Sequence, residues 1–341
     1  MKHRVCLKED VYTTMRNLVF VLVLLVMAGV ASPVSALTVS PARIEITGDP
    51  GATLQGEIEL FNEQDGGKTF FTSFENFEPS GDSGAPHFIG SKEGLATWIH
   101  SDGKVVLESG KRTLVPYTIT IPQNAEPGGY FAAIFFGSQE PGATGSGQVS
   151  VGGKIGVLVL LRVSGEVEEG GGLLGFNIKE NKKVFSSLPI AFTYRFNNTG
   201  GDRVVPRGEI KIKNTLRLNA ATLLANKNEG SVLPGSARKF EVVWGQETES
   251  VNNLEQKEES LGFFEMAGRQ WNDFHFGWYT AKLNLAWGAT NQTANASYNF
   301  FVFPWQLLLI LLVVLTIVGL FGKIAIKKYN NWIITQATQQ K

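Results

Sequence analysis

From Phe300 to Gly322 the chain runs without a charged side chain, and it is densest in Leu, Ile and Val between Leu307 and Phe321. A stretch of that length and composition forms one helix across a bilayer, whereas a buried helix of a globular core would carry a polar face. Lys323, Lys327 and Lys328 follow at once. Cationic side chains beside a span are retained on the cytoplasmic side, so these three are the topology determinants: C-terminus inside, residues 37–299 outside. Trp305 at one end, and Tyr329 with Trp332 at the other, suit the interfacial belts where an amphipathic ring keeps one edge wet. The span is placed at 304–322 and a short basic cytoplasmic tail at 323–341.

Leu18 to Val30 is a shorter apolar run, preceded by Arg16 and followed by the small-residue site Val34-Ser35-Ala36. It reads as a signal peptide over residues 1–36, with Met15 as an alternative start. Cys6, the single cysteine, lies inside this leader. The mature chain therefore has no thiol, which excludes disulfide scaffolding, thiol catalysis, Cys-ligated zinc and iron–sulfur clusters. Overall charge is zero, from 31 Lys+Arg and 31 Asp+Glu. Residues 37–303 alone are acidic, which argues against nucleic acid as a partner.

Between leader and span, short runs rich in Val, Ile, Thr, Phe and Tyr alternate with Gly, Pro, Asn and Asp clusters, the pattern of an all-β fold. Strands are predicted at Arg43–Thr47, Gly56–Phe61, Thr69–Phe77, Val105–Leu107, Thr113–Ile121, Tyr130–Gly137 and Lys154–Val163. Phe131–Phe136 and Ile155–Leu161 are almost continuously apolar and are expected to be central strands.

The second half repeats these landmarks. Phe61-Asn62 before Gly66-Gly67 matches Phe196-Asn197 before Gly200-Gly201; Val106-Leu107 matches Val232-Leu233; Gly128-Gly129-Tyr130 matches Gly277-Trp278-Tyr279. Tyr130 and Tyr279 are placed like the corner tyrosine of immunoglobulin-like sandwiches. The expectation is two tandem immunoglobulin-like β-sandwiches, at 37–165 and 176–303, joined by a Gly-rich linker at 166–175 and followed by the transmembrane helix. Two polar, mobile loops are expected in the first, Glu78–Gly94 and Ser138–Gly153. The second carries an insertion, 246–273, acidic in its first half and aromatic in its second. Loops of that length are usually functional or without fixed structure.

Catalytic chemistry has weak candidates. His87, His100 with Asp102, and Ser101 or Ser109 lack any nucleophile-elbow signature, and turn chemistry accounts for them. No metal-ligand spacing occurs, and neither a cofactor nor an enzymatic activity is expected. Phe70, Phe71, Phe74, Phe77 and Trp98 read as core. The candidate binding surface is Trp271, Phe274, His275, Trp278 and Arg269, because flat aromatic faces beside amide and guanidinium donors suit both sugar rings and protein hot spots.

The opening Val39-Ser40-Pro41 and Asp49-Pro50-Gly51, the strand ending at Asn62, the Pro127-Gly128-Gly129-Tyr130 run, the second β domain, the span and the Lys-rich tail together resemble the WxL-interacting cell-surface proteins of bacteria. That resemblance implies a peptidoglycan-binding first domain and a second domain that contacts a surface protein. The family's Asn-Gln segment after the opening Pro is replaced here by Ala42-Arg43-Ile44-Glu45. The first domain is also similar to pilus-chaperone N-domains, which would imply a chaperone-like or scaffold subunit of an envelope assembly. The expected role is thus a membrane-anchored extracytoplasmic binding protein, contacting peptidoglycan or an envelope surface protein.

Overall fold

The computed structural model describes residues 37–140, 153–245 and 262–339. The expected leader, most of the Ser138–Gly153 loop and the acidic half of the 246–273 insertion lie outside the described residues. What it describes is mostly β: two sandwiches in tandem and one long C-terminal helix.

In the first sandwich one sheet has the order β1 (Leu37–Ser40), β3 (Thr53–Asn62), β8 (Arg112–Thr120), β6 (Ile99–Ser101). The facing sheet runs β2 (Arg43–Gly48), β10 (Lys154–Val163), β9 (Gly128–Gly137), β4 (Lys68–Ser80), β5 (Ala85–Gly90), with β7 (Lys104–Leu107) also on β4. The nearly unbroken apolar strands β9 and β10 lie in the middle, where both faces are covered. Alternating β3 and β8 turn Ile58, Leu60, Val115 and Ile119 inward against Phe70, Ile134 and Val159. A one-turn helix, α1 (Leu95–Trp98), sets Trp98 against Tyr130, ring centroids 4.6 Å apart.

The second sandwich pairs β11 (Gly171–Ile178), β13 (Ile190–Asn198) and β16 (Ser236–Trp244) in one sheet. Its other sheet runs β12 (Val184–Phe185), β18 (Gln292–Val302), β17 (Gly277–Trp287), β14 (Arg207–Asn214), β15 (Asn219–Leu224). The two sandwiches share an unusual feature of topology. In each, the first strand pairs antiparallel in one sheet (β1 with β3, β11 with β13), and the next pairs parallel with the last strand of the other sheet (β2 with β10, β12 with β18). The duplicated landmarks of the sequence therefore mark a duplicated topology.

Three expectations change. Glu78–Gly94 is not a plain loop: β4 and β5 continue through it as a hairpin, pairing Glu78 with His87 and Ser80 with Ala85, and Phe77 packs on Phe88 and Phe131. The polar side chains that suggested a loop occupy its solvent face. The 166–175 linker is a joint only in its first half, because from Gly171 the glycines pair with Asn198 and Asn197 as the start of β11. The 246–273 insertion ends in a helix, α2 (Phe263–Asn272), with Glu265 closing back on the Gly262 N–H.

The domains meet through polar contacts. Arg162 of β10 pairs with buried Asp202 at 2.7 Å, Glu45 of β2 with Arg203 at 2.8 Å, and the Gly129 N–H donates to the Gly201 carbonyl. Glu169 in the joint accepts the Ala289 N–H, which holds its carboxyl below the usual range. The C-terminal helix, α3 (Trp305–Gln339), follows β18 with only two residues between them and has a stretch, Trp305–Trp332, long and apolar enough to cross a membrane.

Candidate functional site

Two surfaces of the second sandwich stand out, and only one was visible in the sequence. The first is a groove of about 710 Å³ between the open edges of β15 and β16, lined by Leu223, Leu224, Arg238, Phe240, Glu241 and Val243 among others. Among the described residues both are edge strands, each in a different sheet. Along β16 the inward partners are on β13. The Lys239 N–H points away from β13 and donates 2.7 Å to the carbonyl of Asp82, at the tip of the first sandwich's β4–β5 hairpin. The Asp82 carboxylate also accepts from Arg195 of β13 at 2.9 Å. By strand periodicity the N–H and C=O groups of Glu241 and Val243 face the same way as those of Lys239, into the groove. Leu224 on the opposite rim is largely exposed.

Gly84 makes this hairpin contact possible. Its φ is +70°, and a Cβ there would stand 2.6 Å from Nε of Arg238. Arg238 donates to the Ser231 carbonyl and lies over the Phe240 ring; desolvation lowers its pKa from the ordinary guanidinium value.

The second surface is the foot of this sandwich, where the candidate binding residues of the sequence fall. They do not form one patch of like character. Trp271 on α2 is 75% exposed and Trp278 at the start of β17 is 60% exposed. Phe274 is also exposed, in the turn between them. His275 instead turns toward the core, edge-on to Trp244 at 4.8 Å, with Nδ1 against the Asp273 carbonyl. Arg269 sits in the last turn of α2. Four aromatics absent from the sequence set, Phe276, Phe301, Phe303 and Trp305, complete the foot: Phe301 packs on Trp278, Phe276 and Phe303 pack on Phe301, and Trp305 packs on Phe263, contacts set by strand register and helix docking, which sequence spacing does not give. α2 packs across the first turn of α3, where buried Gln270 bonds to the Gln306 side chain and accepts the Leu307 N–H.

The residues weighed for catalysis stay apart in function. Ser101 donates to the Pro116 carbonyl and Ser109 to the Gln64 carbonyl, while His100 rests on the Trp98 carbonyl. His87 and His100 lie on edge strands of different sheets. Among the described residues, no three of His, Cys, Asp and Glu gather closely enough to hold a metal ion.

No protein-family model matches this sequence, and no curated protein matches it either. Solved structures similar to it include a chain from a chaperone–tip adhesin complex of CFA/I fimbriae biogenesis, at 11% identity over 77% of this chain and 98% of that one, TM-score 0.35. The class 5 fimbriae chaperone CfaA is similar at 12% identity, 78% and 99% coverage, TM-score 0.34. The E. coli chaperone DraB is similar at 10% identity, 79% and 98% coverage, TM-score 0.31. Likeness at that level carries nothing about what the chain does.

Proposed function

We propose that this chain is a single-pass envelope protein, non-catalytic, which captures an extended segment of a partner protein outside the membrane by adding it to the free edge of β16. The observation that carries this reading is the Asp82–Lys239 bond. The β16 edge already accepts one backbone partner from outside its own sheet, and the groove beyond it has room for more. Strand addition exchanges the hydration of the Glu241 and Val243 backbone for ladder hydrogen bonds and covers Leu224, and a partner's alternate side chains give selectivity. In this reading the leader at 1–36 exports the ectodomain, α3 spans the bilayer, and Lys323, Lys327 and Lys328 hold the C-terminus inside.

In this reading the protein belongs to the assembly-scaffold class. Peptidoglycan binding rests on the sequence resemblance alone, and the acidic first domain is a poor electrostatic match for anionic wall polymers.

The test is a photo-crosslinking residue at Leu224 of the full chain in native membranes, with and without Glu241→Pro. Proline at an outward-facing edge position removes the groove N–H and leaves the β13 pairing intact. An adduct that disappears with Glu241→Pro is expected. An adduct that persists, or equal retention of both chains on purified peptidoglycan, would replace strand addition with another mode.

A further inference from the structure

We infer that the foot of the second sandwich is seated in the lipid interface of the bilayer that α3 crosses, with a waterline fixed between two rows of the β17–β18 pair. This rests on the spanning role of α3 proposed above. The rows follow from register. Trp278 faces Phe301 across the pair, with ring centroids 5.0 Å apart, and Phe276 and Phe303 pack beside Phe301 on the side toward the helix. Two residues up each strand, on the same face, Thr280 stands opposite Asn299 and bonds to it; Lys282 opposite Ser297 and Asn284 opposite Asn295 come next. The outer face thus changes from wholly aromatic to wholly polar within one side-chain repeat, about 7 Å.

α2 repeats the division. Phe263, Met266, Ala267 and Gln270 form its packed side. Phe264 and Trp271, seven residues and two turns apart, share a second side and are 80% and 75% exposed. Glu265 and Asn272 lie on the third. An isolated exposed aromatic needs no explanation, but a contiguous set of this size on one end of a domain does.

The choice of occupant follows from position. Only Phe303 and Pro304 separate β18 from α3, and the Phe303 N–H is bonded to Phe185 of β12. Gln270 clamps α2 to the first turn of α3. The domain therefore has no tether on which to stand away from the membrane, and Phe263, whose ring packs on both Phe264 and Trp305, ties the aromatic side of α2 to the start of the span. Large amphipathic rings are the side chains that favour this zone, and an α2 with one packed, one aromatic and one polar side matches a helix lying in the interface plane. A protein partner for the same aromatics would have to displace lipid from beside the span.

Cys6 is the chain's single cysteine, so in a Cys6→Ser background single nitroxide labels can be placed at Phe264, Trp278, Lys282 and Val314 of the full chain in phosphatidylcholine–phosphatidylglycerol vesicles. Accessibility to oxygen, which partitions into lipid, is compared with accessibility to a water-soluble nickel chelate. The expected result is a several-fold higher oxygen-to-nickel ratio at 264 and 278 than at 282, with Val314 the most lipid-exposed of the four. If 314 reads as lipid while 264 and 278 match 282, the seating is wrong and the span stands. If 314 itself reads as aqueous, both fail. Labels at 264 and 278 that are immobilised and shielded from both reagents would assign the foot to a protein contact.

Discussion

Asn62 and Asn198 make the same three hydrogen bonds in the two sandwiches. Each is fully buried at the end of its strand, β3 or β13. Each accepts from the N–H two residues on, Gln64 or Gly200, and donates to the carbonyl four residues on, Gly66 or Asp202. The second amide hydrogen reaches a distant carbonyl, Leu107 in one domain and Val232 in the other. One side chain thus closes the turn and ties it to a third segment. It also resets the internal alignment: Asn62 corresponds to Asn198 rather than Asn197, and Leu107 to Val232 rather than Leu233.

Replacing either asparagine should therefore be costly and local. Asn62→Ala and Asn198→Ala each remove two amide donors and one acceptor from a turn anchored by a fully buried side chain, and are expected to destabilise their own sandwich by about 2–4 kcal/mol. Aspartate offers no rescue, since an ionised carboxylate cannot donate to two carbonyl oxygens. Hydrogen exchange of the full chain, read separately over the two sandwiches, checks both the size and the confinement of the effect.

Tyr194 is expected to matter more than the predicted corner residue Tyr130. Its hydroxyl is buried and donates to the Ala225 carbonyl at 3.0 Å, and its ring stacks on Phe240. Tyr130 does return to the backbone upstream, at the Glu126 carbonyl, but that bond is exposed. Tyr194→Phe should cost about 1–2 kcal/mol, and Tyr130→Phe less. Burial raises the Tyr194 phenol well above 10. Above that pH the unfolded chain releases the proton first, so this contribution is fully present at lower pH and declines as pH rises through 10. Denaturant melts should show a shallower alkaline loss in Tyr194→Phe than in the parent.

The Asp82 clasp is expected to govern geometry more than stability. Its salt bridge to Arg195 is roughly half exposed, so Asp82→Ala should cost less than about 1 kcal/mol. Gly84→Ala forces a Cβ into the Arg238 side chain at a positive φ and should lift the hairpin tip. Spin labels at Lys92 and Asn219, one in each sandwich, should report a broader distance distribution in Gly84→Ala; an unchanged distribution would remove the clasp from the domain contact.

Orientation across the membrane has its own test. Cysteines at Ser138 and Thr335 should react with a membrane-impermeant reagent on intact cells only at 138. Labelling of 335 from outside would reverse the topology drawn from Lys323, Lys327 and Lys328.

The sequence by itself determined the β content, the duplication and the long apolar helix, because each is written in local order. Alternation along β3 and β8, continuous apolarity in β9, and the uncharged run after Phe300 need no distant partner to be recognised. It also located the aromatic half of the insertion, though not its role. What only the tertiary structure decided was everything set by register and by meeting edges. Trp278 acquires Phe301, and the row above it Thr280 with Asn299, only through pairing of β17 with β18. Lys239 meets Asp82 across more than 150 residues. Glu78–Gly94 looked like a loop because a solvated hairpin tip and a loop share the same polar residues. His275 looked like its neighbours until the fold turned it toward Trp244. Side-chain pattern records which residues leave water, but which of them meet is fixed by long-range packing, and both surfaces of the second sandwich lie where such packing stops.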